Sequence, residues 1–68
     1  GRAMKTYQFV CRSTPGGFVE YASVREGDNE IKRIDRDVWQ ETVREFRERV
    51  GAELEAEGCV MAEHQYTL

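Results

Sequence analysis

The sequence predicts an α+β fold, a two-layer sandwich in which one long helix packs on one face of a small antiparallel sheet. Apolar residues recur at steps of three and four within residues 35–58, the spacing of one face of a single helix. They are Trp39, Val43, Phe46, Val50 and Leu54. Before and after this segment, polar and apolar residues tend to alternate, as in strands. The predicted element order is therefore β-β-(β)-α-β.

The helix has two candidate starts and one clear end. With Asp35 as the N-cap, Ile34 and Trp39 would form a hydrophobic staple. With Asp37 as the N-cap, Gln40 would complete a capping box. The pattern leaves both starts open. Gly58 suits the position just after the helix, because glycine adopts the left-handed conformation at little cost.

Residues 5–13 and 18–25 are predicted to form a hairpin. In the first strand Tyr7, Phe9 and Cys11 share a side, and we expect that side to meet the helix. Residues 14–17, Thr-Pro-Gly-Gly, form the turn, with Gly16 expected at positive φ. In the second strand Val19 and Tyr21 lie on one side, and Glu20 shares the other side with Phe18, Ala22 and Val24. Neither side is uniformly apolar, which fits a central strand covered on both faces or a strand with a bulge.

Two segments complete the predicted sheet. Residues 26–29 read as a second turn. Residues 30–34 are either a short third strand or an extended loop. Residues 59–67 are predicted to be the last strand, with Val60, Ala62, His64 and Tyr66 on one side.

Size and charge narrow the function classes. The chain has 68 residues, enough for one small domain at residues 4–68, and residues 1–3 before Met4 are interpreted as a cloning remnant. Its net charge is −3 with both signs interspersed, whereas dedicated nucleic-acid binders are usually basic. No apolar run reaches the ~18 residues of a membrane span, and no export leader is apparent. We therefore expect a cytoplasmic protein that does not enter the membrane.

The residues that usually carry chemistry are few. Cys11, Cys59 and His64 could supply three ligands, whereas a structural zinc usually has four. Positions 59 and 64 would project to opposite faces of an extended strand. No nucleophile elbow or phosphate-binding loop is present. We expect no catalytic residue, no metal and no cofactor. The two cysteines are expected to stay reduced, with a disulfide between neighbouring strands as the alternative.

The remaining feature is the sheet face that a single helix cannot cover. Exposed apolar patches and free edge strands are typical of interfaces. The predicted partner-binding residues are Val19, Tyr21 and Tyr66, with Arg12, Arg25 and Arg33 around them. Val10 is expected to contribute to the same apolar surface.

The leading functional prediction is a non-enzymatic regulator or inhibitor that binds another protein or protein complex and occludes it. Homodimerisation is a further option. Compact, acidic domains without motifs are common among phage and mobile-element proteins that block host defence, including anti-CRISPR proteins, and among antitoxins; this is an analogy of size and style. The alternative is a single-stranded nucleic-acid binder using the basic 32–36 run and the sheet aromatics. Acidic neighbours weaken phosphate attraction there, so we place it second.

Overall fold

The computed structural model describes residues 4–62 and has an α+β fold. A four-stranded mixed sheet packs against one helix, and most of its strand pairs are antiparallel. The elements are β1 (Lys5–Thr14), β2 (Gly17–Glu26), β3 (Asn29–Asp35), α1 (Val43–Ala56) and β4 (Val60–Met61), and the sheet order is β3-β2-β1-β4. The predicted fold class is confirmed.

The predicted hairpin joins β1 to β2, with Lys5 opposite Glu26 at one end and Thr14 opposite Gly17 at the other. Its positive φ lies at Gly17, at 122°, and not at Gly16 as predicted. Pro15 and Gly16 form the two-residue loop, and Gly17 is already the first residue of β2. The hydroxyl of Thr14 donates to the Gly17 carbonyl at 2.6 Å and closes the turn.

Residues 30–34, for which the sequence allowed either a strand or an extended loop, belong to the strand β3. The presence of β3 makes β2 a central strand of the sheet. Val24 pairs with Lys32 but Arg25 pairs with Glu30, so β3 carries one extra residue, Ile31. The bulge suggested for the second strand therefore lies in its partner.

The helix starts at Val43, so both predicted N-caps are wrong. Asp35 is instead the last residue of β3 and pairs with Tyr21. The N-cap is Thr42: its hydroxyl accepts from the Glu45 amide at 3.2 Å, and the Glu45 carboxylate accepts from the Thr42 amide at 2.9 Å. This capping box satisfies two backbone donors that have no partner within the helix.

The predicted helix end is confirmed. Gly58 has a φ of 91°, and its amide donates to the Glu55 carbonyl at 3.0 Å. The amide of Cys59 donates to the Leu54 carbonyl at 2.9 Å, which completes a Schellman motif.

The core lies between the helix and one face of the sheet. Phe46, Val50 and Leu54 of the predicted stripe are fully buried. They pack with Tyr7, Phe9, Ala22, Val24 and Cys59. Trp39 is not part of the stripe: it precedes the helix and is 92% exposed. The predicted stripe is therefore correct within the helix and wrong before it.

The last strand pairs with β1 in parallel, which corrects the expectation of a wholly antiparallel sheet. Val60 lies opposite Thr6, and the amide of Ala62 donates to the Tyr7 carbonyl at 2.8 Å. Strands β1 and β3 run in the same direction because both are antiparallel to β2. The helix returns the chain to the end of the sheet where β1 and β3 begin, so β4 runs in the same direction as these two strands. The predicted residues 63–67 of this strand lie outside the described residues.

Candidate functional site

Across residues 4–62 the helix covers one face of the sheet and leaves the other without a covering element. Ala22 and Val24 of β2 lie in the core, and the Glu20 carboxylate is 3.7 Å from the Arg47 guanidinium on α1. Because side chains alternate along a strand, the odd-numbered residues of β2 point to the opposite side, which we call the helix-free face. By strand register it comprises Thr6, Gln8, Val10 and Arg12 of β1, Val19, Tyr21, Ser23 and Arg25 of β2, and Glu30, Arg33 and Asp35 of β3.

Five of the six predicted partner-binding residues share this face. Arg12 lies opposite Val19, and Arg33 lies opposite Ser23. Tyr21 and Arg25 follow on β2 with the same alternation. The sixth, Tyr66, lies outside the described residues. The alternation seen in the sequence thus identified which side chains share a face.

The most ordered group on the helix-free face consists of Tyr21, Arg33 and Asp35. The guanidinium carbon of Arg33 lies 3.8 Å from the centre of the Tyr21 ring. Its Nε donates to the Asp35 carboxylate at 3.0 Å. A guanidinium held over an aromatic ring is attracted by the negative face of the ring. The arrangement fixes the direction of the Arg33 side chain and covers one face of Tyr21.

The centre of the helix-free face is less accessible than predicted. Val10, expected to contribute to an exposed apolar surface, is only 4% exposed and lies opposite Tyr21. Ser23 is also buried, and its hydroxyl donates to the Glu30 carboxylate at 3.1 Å. The accessible apolar part is therefore Val19 and the free part of Tyr21.

Charge is unevenly distributed between the two sides of the molecule. Among residues 4–62, the helix-free face holds three arginines against Glu30 and Asp35, in a chain whose net charge is −3. On the other side, α1 contains three arginines and four glutamates. Within the described residues, the helix-free face is therefore more positive than α1.

The basic run at residues 32–36 does not form one patch. Lys32 projects to the helix side, where its ammonium lies 3.9 Å from the Glu57 carboxylate. Arg33 lies over Tyr21 on the other side. Arg36 donates from Nη1 to the Glu41 carbonyl at 2.9 Å. Strand alternation and the following loop separate the three cations.

A second exposed group was missed by sequence reasoning. Residues 36–42 connect β3 to α1 and carry Trp39 and Val38, both exposed. Phe18, at the start of β2, is also exposed. The signal that could have revealed this loop is the Thr42-x-x-Glu45 capping box, which places the helix start after Trp39.

A cleft of about 560 Å³ lies between α1 and the sheet. Its lining includes Tyr7, Phe9, Gly51 and Met61. Burial raises the pKa of the Tyr7 hydroxyl above its ordinary value of 10.0, and the neighbouring Glu55 carboxylate raises it further. The Tyr7 hydroxyl therefore stays protonated at neutral pH, when it can donate or accept a hydrogen bond but is not a base.

The residues considered for metal or thiol chemistry are dispersed. Within residues 4–62 no three His, Cys, Asp or Glu side chains are grouped as metal ligands. Cys11 and Cys59 are free thiols, half-buried and buried respectively, so the disulfide alternative is not present. His64 lies outside the described residues.

In the described part of the chain, no helix is both long and apolar enough to cross a membrane. No family model matches the chain, and no curated protein or solved structure is significantly similar to it.

Proposed function

We propose that this protein is a small non-enzymatic regulator or inhibitor that binds another protein through the helix-free face and acts by occluding it. The observation that carries the proposal is the arrangement around Tyr21. Arg12 lies opposite Val19, Arg33 is held over the Tyr21 ring, and Arg25 lies further along β2 on the same face. Tyr and Arg are enriched at the energetic centres of interfaces.

The chemistry of this face suggests the kind of partner. An apolar centre of Val19 and Tyr21 with an arginine rim fits a protein surface that has an apolar spot bordered by carboxylates. Arg33 loses little side-chain freedom on binding because Tyr21 and Asp35 already orient it. A cytoplasmic site of action belongs to the same proposal and is consistent with the free thiols of Cys11 and Cys59.

The class of inhibitor is proposed by analogy alone. Small acidic domains without catalytic motifs are used by phages and mobile elements against host defence, and by antitoxins. Such proteins need only a surface that blocks a larger partner. This analogy determines where a partner should be sought first, among defence complexes and toxins of the host.

The proposal is tested with the full chain and a purified partner. Wild-type protein is used to capture candidates from a lysate of the source cells, and each captured protein is purified and titrated. Tyr21→Ala should weaken binding by about tenfold or more, equivalent to about 1.4 kcal/mol. Arg44→Ala, on the exposed side of α1, is the matched control and should bind like the wild type.

Circular dichroism of Tyr21→Ala should match the wild type, so that lost affinity is not lost fold. Unchanged affinity of Tyr21→Ala and of a Val19→Ser variant would remove the helix-free face from consideration. Sedimentation of the isolated chain identifies a second copy as the occupant if its mass doubles while no outside partner binds.

A further inference from the structure

The strand β3 lies at one end of the sheet, with β2 on its inner side. Across residues 4–62, no strand pairs with its outer side, which we call the β3 edge. A strand in this position presents unpaired backbone N–H and C=O groups that another chain can pair with. The β3 edge is therefore a candidate for strand addition.

The hydrogen-bond pattern identifies the backbone groups of the β3 edge. The amide of Arg36 donates to the Glu20 carbonyl at 3.0 Å, so the backbone of residue 36 faces β2. Because backbone groups alternate between the two sides of an antiparallel strand, those of Ile34 also face β2. The N–H and C=O groups of Arg33 and Asp35 then point outward. These two residues offer two donors and two acceptors to a further strand.

The side chains of the same two residues have opposite charges. Arg33 and Asp35 lie on the helix-free face and share one hydrogen bond, from Arg33 Nε at 3.0 Å. Neither Nη atom of Arg33 makes a hydrogen bond to a described residue. A guanidinium has donors on more than one side of its plane and can bind two carboxylates at once. Arg33 can therefore keep Asp35 and also bind a carboxylate from outside the chain.

Charge complementarity selects one way of pairing two copies of β3. Antiparallel pairing about a two-fold axis at Ile34 places Arg33 of each copy opposite Asp35 of the other. An axis at Lys32, Arg33 or Asp35 would place a charged residue opposite itself. An axis at Ile31 would pass through the extra residue of the bulge, where regular pairing is disturbed. Of the axes between residues 31 and 35, only the one at Ile34 joins opposite charges across a regular strand.

The helix side of this register is also compatible with a second copy. Ile34 is partly buried against the core, and the two copies of its side chain would meet at the axis and lose their remaining exposure. Lys32 would lie opposite Arg36 of the other copy, which is a like-charge pair. However, the Lys32 ammonium lies 3.9 Å from the Glu57 carboxylate of its own chain. Arg36 is directed toward its own loop, where Nη1 donates to the Glu41 carbonyl at 2.9 Å.

We propose that this protein forms a two-fold symmetric homodimer in which the β3 edges of two copies pair antiparallel, with Ile34 at the axis and Arg33 of each copy facing Asp35 of the other. The two four-stranded sheets then join into one sheet. Both helix-free faces lie on the same side of that sheet, because the axis is perpendicular to it. The inference goes beyond the proposed function, since it needs no outside partner and does not cover Val19.

Hydrogen exchange of the unmodified full chain tests the strand pairing. The amides of Arg33 and Asp35 should exchange at least about tenfold more slowly at concentrations where sedimentation gives a doubled mass. The Ile34 amide is the internal control, because it faces β2 in the single chain and should change less. A doubled mass without protection of Arg33 and Asp35 would overturn the β3 edge as the contact.

Charge reversal tests the register. Arg33→Asp and Asp35→Arg should each raise the dissociation constant of the dimer about tenfold or more, because the two-fold axis repeats each like-charge contact. The double variant, Arg33→Asp with Asp35→Arg, restores both contacts between opposite charges and should regain most of the affinity. Arg12→Asp, the same change on β1, is the matched control and should dimerise like the wild type.

A cross-link tests the same register if a charge-reversed variant does not fold, as judged by circular dichroism. Residues opposite each other at this axis form a pair without hydrogen bonds, whose Cα atoms lie ~4.5 Å apart. That separation suits a disulfide, so Ile34→Cys should form a covalent dimer under mild oxidation. Ile31→Cys, which has the same native cysteines and also lies on β3, should not.

The outcomes separate the dimer from the proposed function, because every measurement is made on the chain alone. A mass that stays that of one chain at the highest soluble concentration would overturn the dimer and leave the proposed function standing. Equal affinities for the wild type, Arg33→Asp and Asp35→Arg would overturn the register. A dimer that Val19→Ser abolishes would place the second copy on the helix-free face and overturn the edge contact. Failure to capture an outside protein would count against the proposed function and leave the dimer standing.

Discussion

Arg33 covers the ring of Tyr21, with its guanidinium carbon 3.8 Å from the ring centre. The contact joins β3 to β2 on the helix-free face. The Asp35 carboxylate, which is also on β3, accepts a hydrogen bond from Arg33 Nε at 3.0 Å. One face of the ring is therefore occupied within the folded chain. A nucleic-acid base that stacked on that face of Tyr21 would have to displace Arg33.

This relationship gives a prediction for the alternative function, single-stranded nucleic-acid binding. Such binders combine stacking on aromatic rings with a basic track, and the basic run at residues 32–36 is divided between different sites. We expect a thymidine oligonucleotide to leave the Tyr21 ring resonances unchanged at moderate salt. The measurement is an NMR titration of the full chain.

The same titration on Arg33→Ala is the control, because that variant frees the ring. Binding by the wild type that shifts Tyr21 and weakens steeply between low and moderate salt would favour the nucleic-acid function over the protein-binding one.

Trp39 and Phe46 should differ sharply in their effect on stability, although both belong to the predicted stripe. Phe46 is fully buried and its ring centre lies 5.9 Å from that of Phe9. Phe46→Ala should lower the free energy of unfolding by about 3–5 kcal/mol. Trp39→Ala should change it by no more than about 0.5 kcal/mol, because the side chain is almost fully solvated.

Urea unfolding followed by circular dichroism measures both variants. Since a domain of this size is marginally stable, Phe46→Ala is expected to be largely unfolded without denaturant. A loss of more than 2 kcal/mol for Trp39→Ala would contradict its place outside the core.

The helix start can be tested by its cap. Thr42→Ala removes the acceptor for the Glu45 amide and should cost about 1 kcal/mol, whereas Thr42→Ser should restore most of it. Asp35→Ala is the comparison, because this predicted N-cap ends β3 instead. Asp35→Ala should have a negligible effect on helix content, measured by circular dichroism. Equal losses of helix content for Thr42→Ala and Asp35→Ala would contradict the observed helix start.

The helix illustrates what local sequence could and could not predict. Phe46, Val50 and Leu54 were identified because their spacing matches a helix face that must be buried. Trp39 stands at the same spacing, yet periodicity does not say where a helix begins. Pairing of Asp35 with Tyr21 extends β3, and the Thr42 capping box then sets the start. The pairing of Asp35 with Tyr21 is a contact between residues that are distant in the sequence, so the local pattern of residues cannot predict it.

On the helix-free face, too, local sequence predicted one feature and missed another. Alternation along β2 correctly grouped Val19 and Tyr21, because a strand presents alternate residues to one side. The stacking of Arg33 on Tyr21 was not predicted, since it depends on the β2–β3 register and on the extra residue Ile31. The loop carrying Trp39 was missed for the same reason as the helix start.

The Glu41–Arg49 pair gives a pH dependence whose sign can be worked out. Hydrogen bonds from Arg49 lower the pKa of the Glu41 carboxyl below its ordinary value of 4.5; partial burial opposes them, and the positive charges of Arg49 and Arg36 add to them. The same pair raises the pKa of Arg49, which stays charged throughout. The folded chain therefore keeps Glu41 ionised at pH values where the unfolded chain has begun to bind a proton.

The stability that Glu41 contributes is complete above pH 4.5 and is lost as the pH falls through its lower, folded-state pKa. Melting temperature measured against pH should therefore fall more steeply below pH 4.5 in the wild type than in Glu41→Gln. Glu48→Gln, a change of the same chemistry on α1, should keep the wild-type slope. Arg49 also connects Glu41, in the loop at residues 36–42, to α1. With 5-fluorotryptophan in place of the single tryptophan, the ¹⁹F signal of Trp39 in that loop should therefore sharpen over the same pH range as the loop is released. Parallel melting curves for the wild type and Glu41→Gln would show that the pair does not act on folding.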